Sequence, residues 1–143
     1  MPIKKYKRNS DGTYGPTLRG EFYFSKADHR RTAKEKSSKN RWALEEGEEY
    51  SVFLEANNPE PYWYCNENNS LFSFVDDCNE ILGQNGERIA KFPNDRNPND
   101  PWHGYPVLTE EKQNRPSSEL LDLIQNSGFI SLKVRLKIER GVI

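Results

Sequence analysis

Between Trp42 and Glu87 the chain carries eleven Asp and Glu residues and not one Lys or Arg. From Met1 to Arg41 the balance reverses, with twelve Lys or Arg against four acidic residues; from Arg88 onward nine basic residues meet seven acidic ones. The net charge of −1 conceals this segregation. Like charges held together repel, so the acidic middle needs cations from elsewhere, and the first forty-one residues are the richest source. Either the two parts attract each other within one fold, or each meets an external partner of opposite charge.

A chain of 143 residues suits one domain with a real core. Its hydrophobic fraction, 34%, is low, but three Trp, seven Tyr and seven Phe offset the deficit because each buried ring removes a large apolar area from water. No run approaches the ~20 apolar residues of a membrane helix, and the opening MPIKKYKRNSDG lacks the apolar segment of a signal peptide. Cys65 and Cys78, without an export signal beside them, read as reduced structural thiols. These features point to a cytoplasmic protein without a membrane partner.

Local patterns predict an α+β domain: an antiparallel β-meander with one C-terminal helix and a closing strand, preceded by a flexible basic N-terminal arm. Residues 1–16, rich in turn formers, make the arm. Residues 17–143 make the domain, with a mobile basic insert near 25–41. TLRGEFYF (17–24) is a strand candidate with Leu18, Phe22 and Phe24 on one face. EYSVFLEA (49–56) alternates like a strand. PYWYCNE and SLFSFVD flank Asn68-Asn69 as a hairpin, and Asn85-Gly86 suits a type I′ turn that sets Leu82 opposite Ile89 and Glu80 opposite Lys91. Pro116, a serine N-cap, Glu119 and Gly128 bracket a helix with Leu120, Leu121, Leu123 and Ile124 as its apolar stripe. In FISLKVRLKIERGVI, five apolar residues from Ile130 to Ile138 alternate with polar ones, which favours the closing strand over a second helix of a helix-turn-helix.

The segment PNDRNPNDPWHGYP (93–106) concentrates four prolines with Trp102, His103 and Tyr105. His103 and His29 are the only histidines, and two histidines with a lysine could cleave RNA by proton transfer and phosphate stabilisation. Lys4, Lys5, Lys7, Arg8, Arg30 and Arg31 would then hold phosphates. Asp95, Asp100 and His103 have weak metal-ligand spacing, and there is no nucleotide-binding loop or nucleophile elbow, so no metal or cofactor is expected. The leading expectation is a non-enzymatic neutralising or adaptor module. It would bind a basic protein through the acidic, aromatic β-surface (Tyr62, Trp63, Tyr64, Glu55 and Glu60) and the loop residues Trp102, His103 and Tyr105. The alternative is a nucleic-acid-directed protein, a small metal-independent nuclease using His103 with the basic N-terminal segment.

Overall fold

The computed structural model describes residues 3–33 and 40–143. EYSVFLEA is not a strand but the body of helix α1, Glu46–Ala56. A capping box starts it: the Glu45 side chain accepts from the Glu48 N–H, and Glu48 Oε1 accepts from the Glu45 N–H at 3.0 Å. Glu46, Glu48 and Glu49 place negative charge in the first turn, where the helix dipole favours it. The strand-like alternation misleads because α1 is covered on more than one side, so its apolar residues need not form a single stripe. Phe53 packs edge-on against Phe92, with ring centroids 5.2 Å apart. Tyr50 stacks on Tyr14 at 5.5 Å and meets Tyr6 edge-on at 5.1 Å.

Those tyrosines come from the segment expected to be a flexible arm. Its described part, residues 3–16, lies against α1: Lys4 N–H donates to Ser51 Oγ at 3.1 Å and Tyr6 N–H to the Gly47 carbonyl at 3.2 Å. Gly47 permits this approach, since a Cβ there would come within 2.3 Å of the Tyr6 carbonyl oxygen. Next along the chain, Tyr14 and Tyr23 exchange two backbone hydrogen bonds, and Tyr23 N–H and C=O thereby fix its register. The face of TLRGEFYF turned inward is that of Tyr23, fully buried, while Leu18, Phe22 and Phe24 stay exposed. The tyrosine is chosen because its hydroxyl reaches a buried carboxylate, Glu49 Oε1, at 2.7 Å. In the segment expected as a mobile basic insert, Ser25 and His29 are buried, a 3-10 turn spans Ala27–His29, and residues 34–39 lie outside the described residues.

The sheet is an antiparallel meander as expected, β1 (Tyr64–Cys65), β2 (Ser70–Ser73), β3 (Ile89–Pro93) and β4 (Tyr105–Val107), in that spatial order, but β4 comes from the end of the segment expected to be a loop. Asn68-Asn69 closes the β1–β2 hairpin, with Tyr64 opposite Leu71. The Asn85-Gly86 turn forms, but only Gly86 has positive φ, and Glu87 C=O accepts from both Leu82 and Gly83. No ladder grows from it. Residues 41–43 pair with Leu82–Gln84 instead, and β3 pairs with β2 and β4, so that Lys91 opposes Phe72 and Tyr105 rather than Glu80. A central position with partners on both sides satisfies more of β3's backbone than the hairpin would.

Helix α2, Ser118–Asn126, has the caps expected of it: Ser117 Oγ accepts from Leu120 N–H at 3.2 Å, and Gly128 takes φ +82° after the last turn. The closing strand does not exist. Residues 132–139 are helix α3, Leu132–Glu139, capped by Ser131 Oγ on Val134 N–H. Among the alternating residues only Ile130, Val134 and Ile138, four apart, turn inward, whereas Leu132 is 59% exposed. An alternation always contains an i, i+4, i+8 subset, and α2 supplies a partner for that narrower stripe. Arg135 clamps the two helices through Asp122 and Gln125.

Two measurements test this packing. Ser131→Ala removes the cap on α3 and lowers stability by about 1 kcal/mol in urea denaturation. Burial raises the Glu49 carboxyl to about 8, outweighing the hydroxyls of Tyr23 and Ser25 that favour its charged form. A carboxyl whose folded pKa lies above its unfolded value loses stability as pH rises: the unfolded chain releases the proton first, and the loss ends near pH 8. The urea midpoint of the wild type therefore declines between pH 5 and 8, by up to about 1.4 kcal/mol per unit in free energy, whereas Glu49→Gln flattens that decline.

Candidate active site

The chain's two histidines come together at the β4 edge of the sheet. Two connections hold Trp42 and Asn40 there, Trp42 Nε1 donating to the Gly104 carbonyl at 3.1 Å and Asn40 Nδ2 to the Pro106 carbonyl at 2.8 Å. Trp42 N–H in turn ties in His29, donating to its carbonyl at 2.8 Å. Gly104 lets this edge close, because a Cβ there would come within 2.2 Å of the Phe92 ring. The His29 ring lies parallel to Tyr105 at 4.6 Å. Its Nδ1 stands 2.6 Å from the Asn40 carbonyl, which can only accept. Nδ1 is therefore the protonated nitrogen, and in the neutral ring Nε2 carries the lone pair.

Opposite Tyr105 in the register is Lys91. Burial lowers its pKa, and its Nζ donates to the Gln113 carbonyl at 2.8 Å. His29, Lys91 and Tyr105 line one open cavity of about 370 Å³ with Asn40, Glu111 and Asn114. Burial also raises the Tyr105 phenol, and the charge of Asp95 adds to that. The cavity thus gathers an imidazole with a fixed tautomer, an ammonium that surrenders its proton more readily than a surface lysine, and a phenol that keeps its own. Among the described residues, no group of three His, Cys, Asp or Glu side chains is placed to hold a metal ion.

His103 stands outside that cavity lining. Its Nε2 is 3.2 Å from Asp95 Oδ1, so Nε2 carries the proton; Nδ1 is enclosed and without a hydrogen-bond partner among the described residues. Burial, followed by the positive charge of Lys26, lowers its pKa against the opposing pull of Asp95; His29 adds a smaller lowering. Trp102 is a core residue rather than a displayed one, at 1% exposure. The organiser of the loop is Arg96, which the sequence reading passed over. Its guanidinium lies 4.1 Å over the Trp102 ring, donates to the carbonyls of Pro98 and Asp100 at 3.0 and 2.9 Å, and meets Glu21 Oε2 at 3.0 Å. A lone arginine beside a tryptophan in a proline-rich stretch was the available signal, since stacking and several donors at once are what a guanidinium offers.

The remaining sequence candidates are dispersed. Trp63 is in the core, stacked on Phe74 at 5.0 Å, while Tyr62 and Tyr64 stack on each other at 5.7 Å with Arg19 over Tyr62. Glu60 is exposed and Glu55 half-buried. Lys5, Arg8, Arg30 and Arg31 line a second cavity beside the start of α1; Lys4 and Lys7 do not. Lys91 and Asn40 were missed because only the fold brings them to His29.

Fold and site together define an α+β protein whose titratable groups converge at one sheet edge. No protein-family model matches the chain, and no curated protein or solved structure was found to be similar to it.

Breaking the Arg96 cluster tests how the loop is held. Arg96→Ala takes one of its cations from Glu21, which keeps Arg19 and Asn57, and removes the guanidinium donor from the Pro98 and Asp100 carbonyls, at a cost of about 2 kcal/mol in urea denaturation. Native-state hydrogen exchange of residues 94–104 should accelerate in the same variant.

Proposed function

We propose that this protein acts on nucleic acid by metal-independent proton transfer, with His29 as base and Lys91 as acid. The observation that supports it is the shared cavity in which a tautomer-locked His29, a buried Lys91 and Tyr105 face one space. Metal-free cleavage of RNA needs an internal nucleophile, a base and an acid. His29 Nε2 takes the proton of a ribose 2′-hydroxyl, the 2′-oxygen bonds to phosphorus, and the bond from phosphorus to the 5′-oxygen breaks. The departing oxygen receives a proton from the Lys91 ammonium. The products are a 2′,3′-cyclic phosphate and a 5′-hydroxyl, and the later exchange of one proton with water restores both groups. With one N–H of Lys91 held by the Gln113 carbonyl and one given to the leaving oxygen, the third is available to a phosphate oxygen during the reaction. His103, with Nε2 on Asp95 and Nδ1 enclosed, stands outside this cavity and takes no part in the proposed step.

The test is cleavage of a mixed RNA and DNA substrate in the presence of EDTA. RNA is cut and DNA is not; His29→Ala and Lys91→Met each lower the rate by about a hundredfold or more, with far-UV circular dichroism unchanged. His103→Ala lowers it far less. Intact RNA after incubation with the wild type at micromolar concentration overturns the proposal.

A second reading, the binding of a basic protein, is favoured by one observation. The parallel Tyr62–Tyr64 pair lies at the short edge strand β1, beside the exposed Glu60, and both tyrosines are only partly buried. Capture of one defined partner from the native host, weakening with salt and lost in Tyr62→Ala/Tyr64→Ala, would support it over the nuclease.

A further inference from the structure

The cations of the first thirty-one residues do more than neutralise the acidic middle of the chain. Four of them, Lys5, Arg8, Arg30 and Arg31, line a cavity of about 370 Å³ with Glu45 and Glu46 at its rim. Lys5 and Arg31 approach Glu45 at 3.0 and 3.6 Å; Arg8 and Arg30 approach Glu46 at 3.9 and 3.7 Å. Each carboxylate is thus shared between two cations, and two positive charges remain over in one concavity. Except for the lysine, these contacts are longer than hydrogen bonds. The guanidinium forks are near the carboxylates without being matched to them, and Glu46 Oε1 is enclosed without a hydrogen-bond donor among the described residues.

Arg30 is nonetheless fixed in place, because its Nε and Nη2 both donate to the Ser25 carbonyl, at 3.1 and 2.7 Å. A pre-positioned guanidinium loses little freedom when it meets a tetrahedral oxyanion. The N-terminus of α1 contributes little to the charge, since Glu45 and Glu48 already occupy its first donors. Tyr6, 36% exposed and held edge-on against Tyr50, is also part of the lining of this cavity. A phosphate beside a stacking surface is the chemistry of a nucleotide unit.

We propose that this cavity binds a phosphate-bearing ligand, with Arg8, Arg30 and Arg31 as the donors to the phosphate oxygens and Tyr6 as a stacking face. Arg30 directly follows His29 in the chain, so a strand whose phosphate sits here has a neighbouring unit near the His29 cavity. The site stands apart from the catalytic reading, because it needs only affinity and not cleavage.

Binding is measured on His29→Ala protein, which leaves any RNA intact, by fluorescence anisotropy with a short single-stranded RNA. Isothermal calorimetry follows with adenosine 5′-monophosphate and with inorganic phosphate. Affinity for the RNA falls with salt, and Arg8→Gln/Arg31→Gln lowers it at least tenfold and reduces the slope of log K against log salt by about 1.4. The Lys4→Gln/Lys7→Gln control, outside the cavity, changes affinity less than threefold. Binding of the mononucleotide or phosphate without the RNA identifies a free nucleotide as the source of the phosphate, and binding of the RNA alone identifies a strand. No binding of any of the three probes, or an equal loss in the control pair, overturns the proposal. A wild type that binds RNA without cutting it sinks the nuclease reading and leaves this site standing.

Discussion

The burial of α1 on two sides is the constraint on which the rest of the structure depends. One side of the helix meets the sheet through Phe53 and Phe92, with Ser73 Oγ donating to the Val52 carbonyl at 2.6 Å. The other side meets the N-terminal segment through Tyr6 and Tyr14. Aromatic burial of this kind contributes more than any single hydrogen bond nearby, and it uses residues from three distant parts of the chain. Because Glu45 and Glu46 are carried on this helix and its cap, laying the N-terminal segment across it also delivers the cations those two carboxylates need. Hydrophobic packing sets the position, and the charge pattern decides which segment can occupy it without repulsion.

Charge segregation along the chain therefore becomes charge neighbourhood in the fold. The acidic middle does not present a uniform anionic face, since Glu45 and Glu46 face Lys5, Arg8, Arg30 and Arg31, and Glu49 is enclosed among hydroxyls. Cations in excess accumulate on the N-terminal side. The turn at Ala27–His29 is the junction: His29 points to the cavity at β4, while the following two arginines turn to the cavity at α1. Two polar cavities lined from one short turn are the observation behind the proposal of a phosphate-bearing ligand.

Features whose signal is local were legible. Ser117 and Gly128 bracket α2 because a cap acts within four residues, and Asn68-Asn69 closes a hairpin for the same reason. Helix α1 was misread because its N-cap is a glutamate, outside the usual capping residues, and because burial on several sides erased the single stripe. For α3 the alternation was real but irrelevant, as only every fourth residue finds the core. The site was half legible. Both histidines stood out as the only two, whereas Lys91 and Asn40 carried no signal until β3 and the 40–42 segment were brought beside them.

The sequence by itself determined the class of structure, the β-meander, the extent of α2 and the opposition of two charged halves, because turns, caps and net charge act over a few residues or over whole segments. Tertiary structure alone decided that residues 49–56 and 132–139 are helical, that Trp102 is core, and that Arg96 binds its own loop. It also chose His29 over His103 as the nitrogen that faces a cavity. Each of these turns on which surfaces meet across long stretches of chain, and periodicity is silent about that.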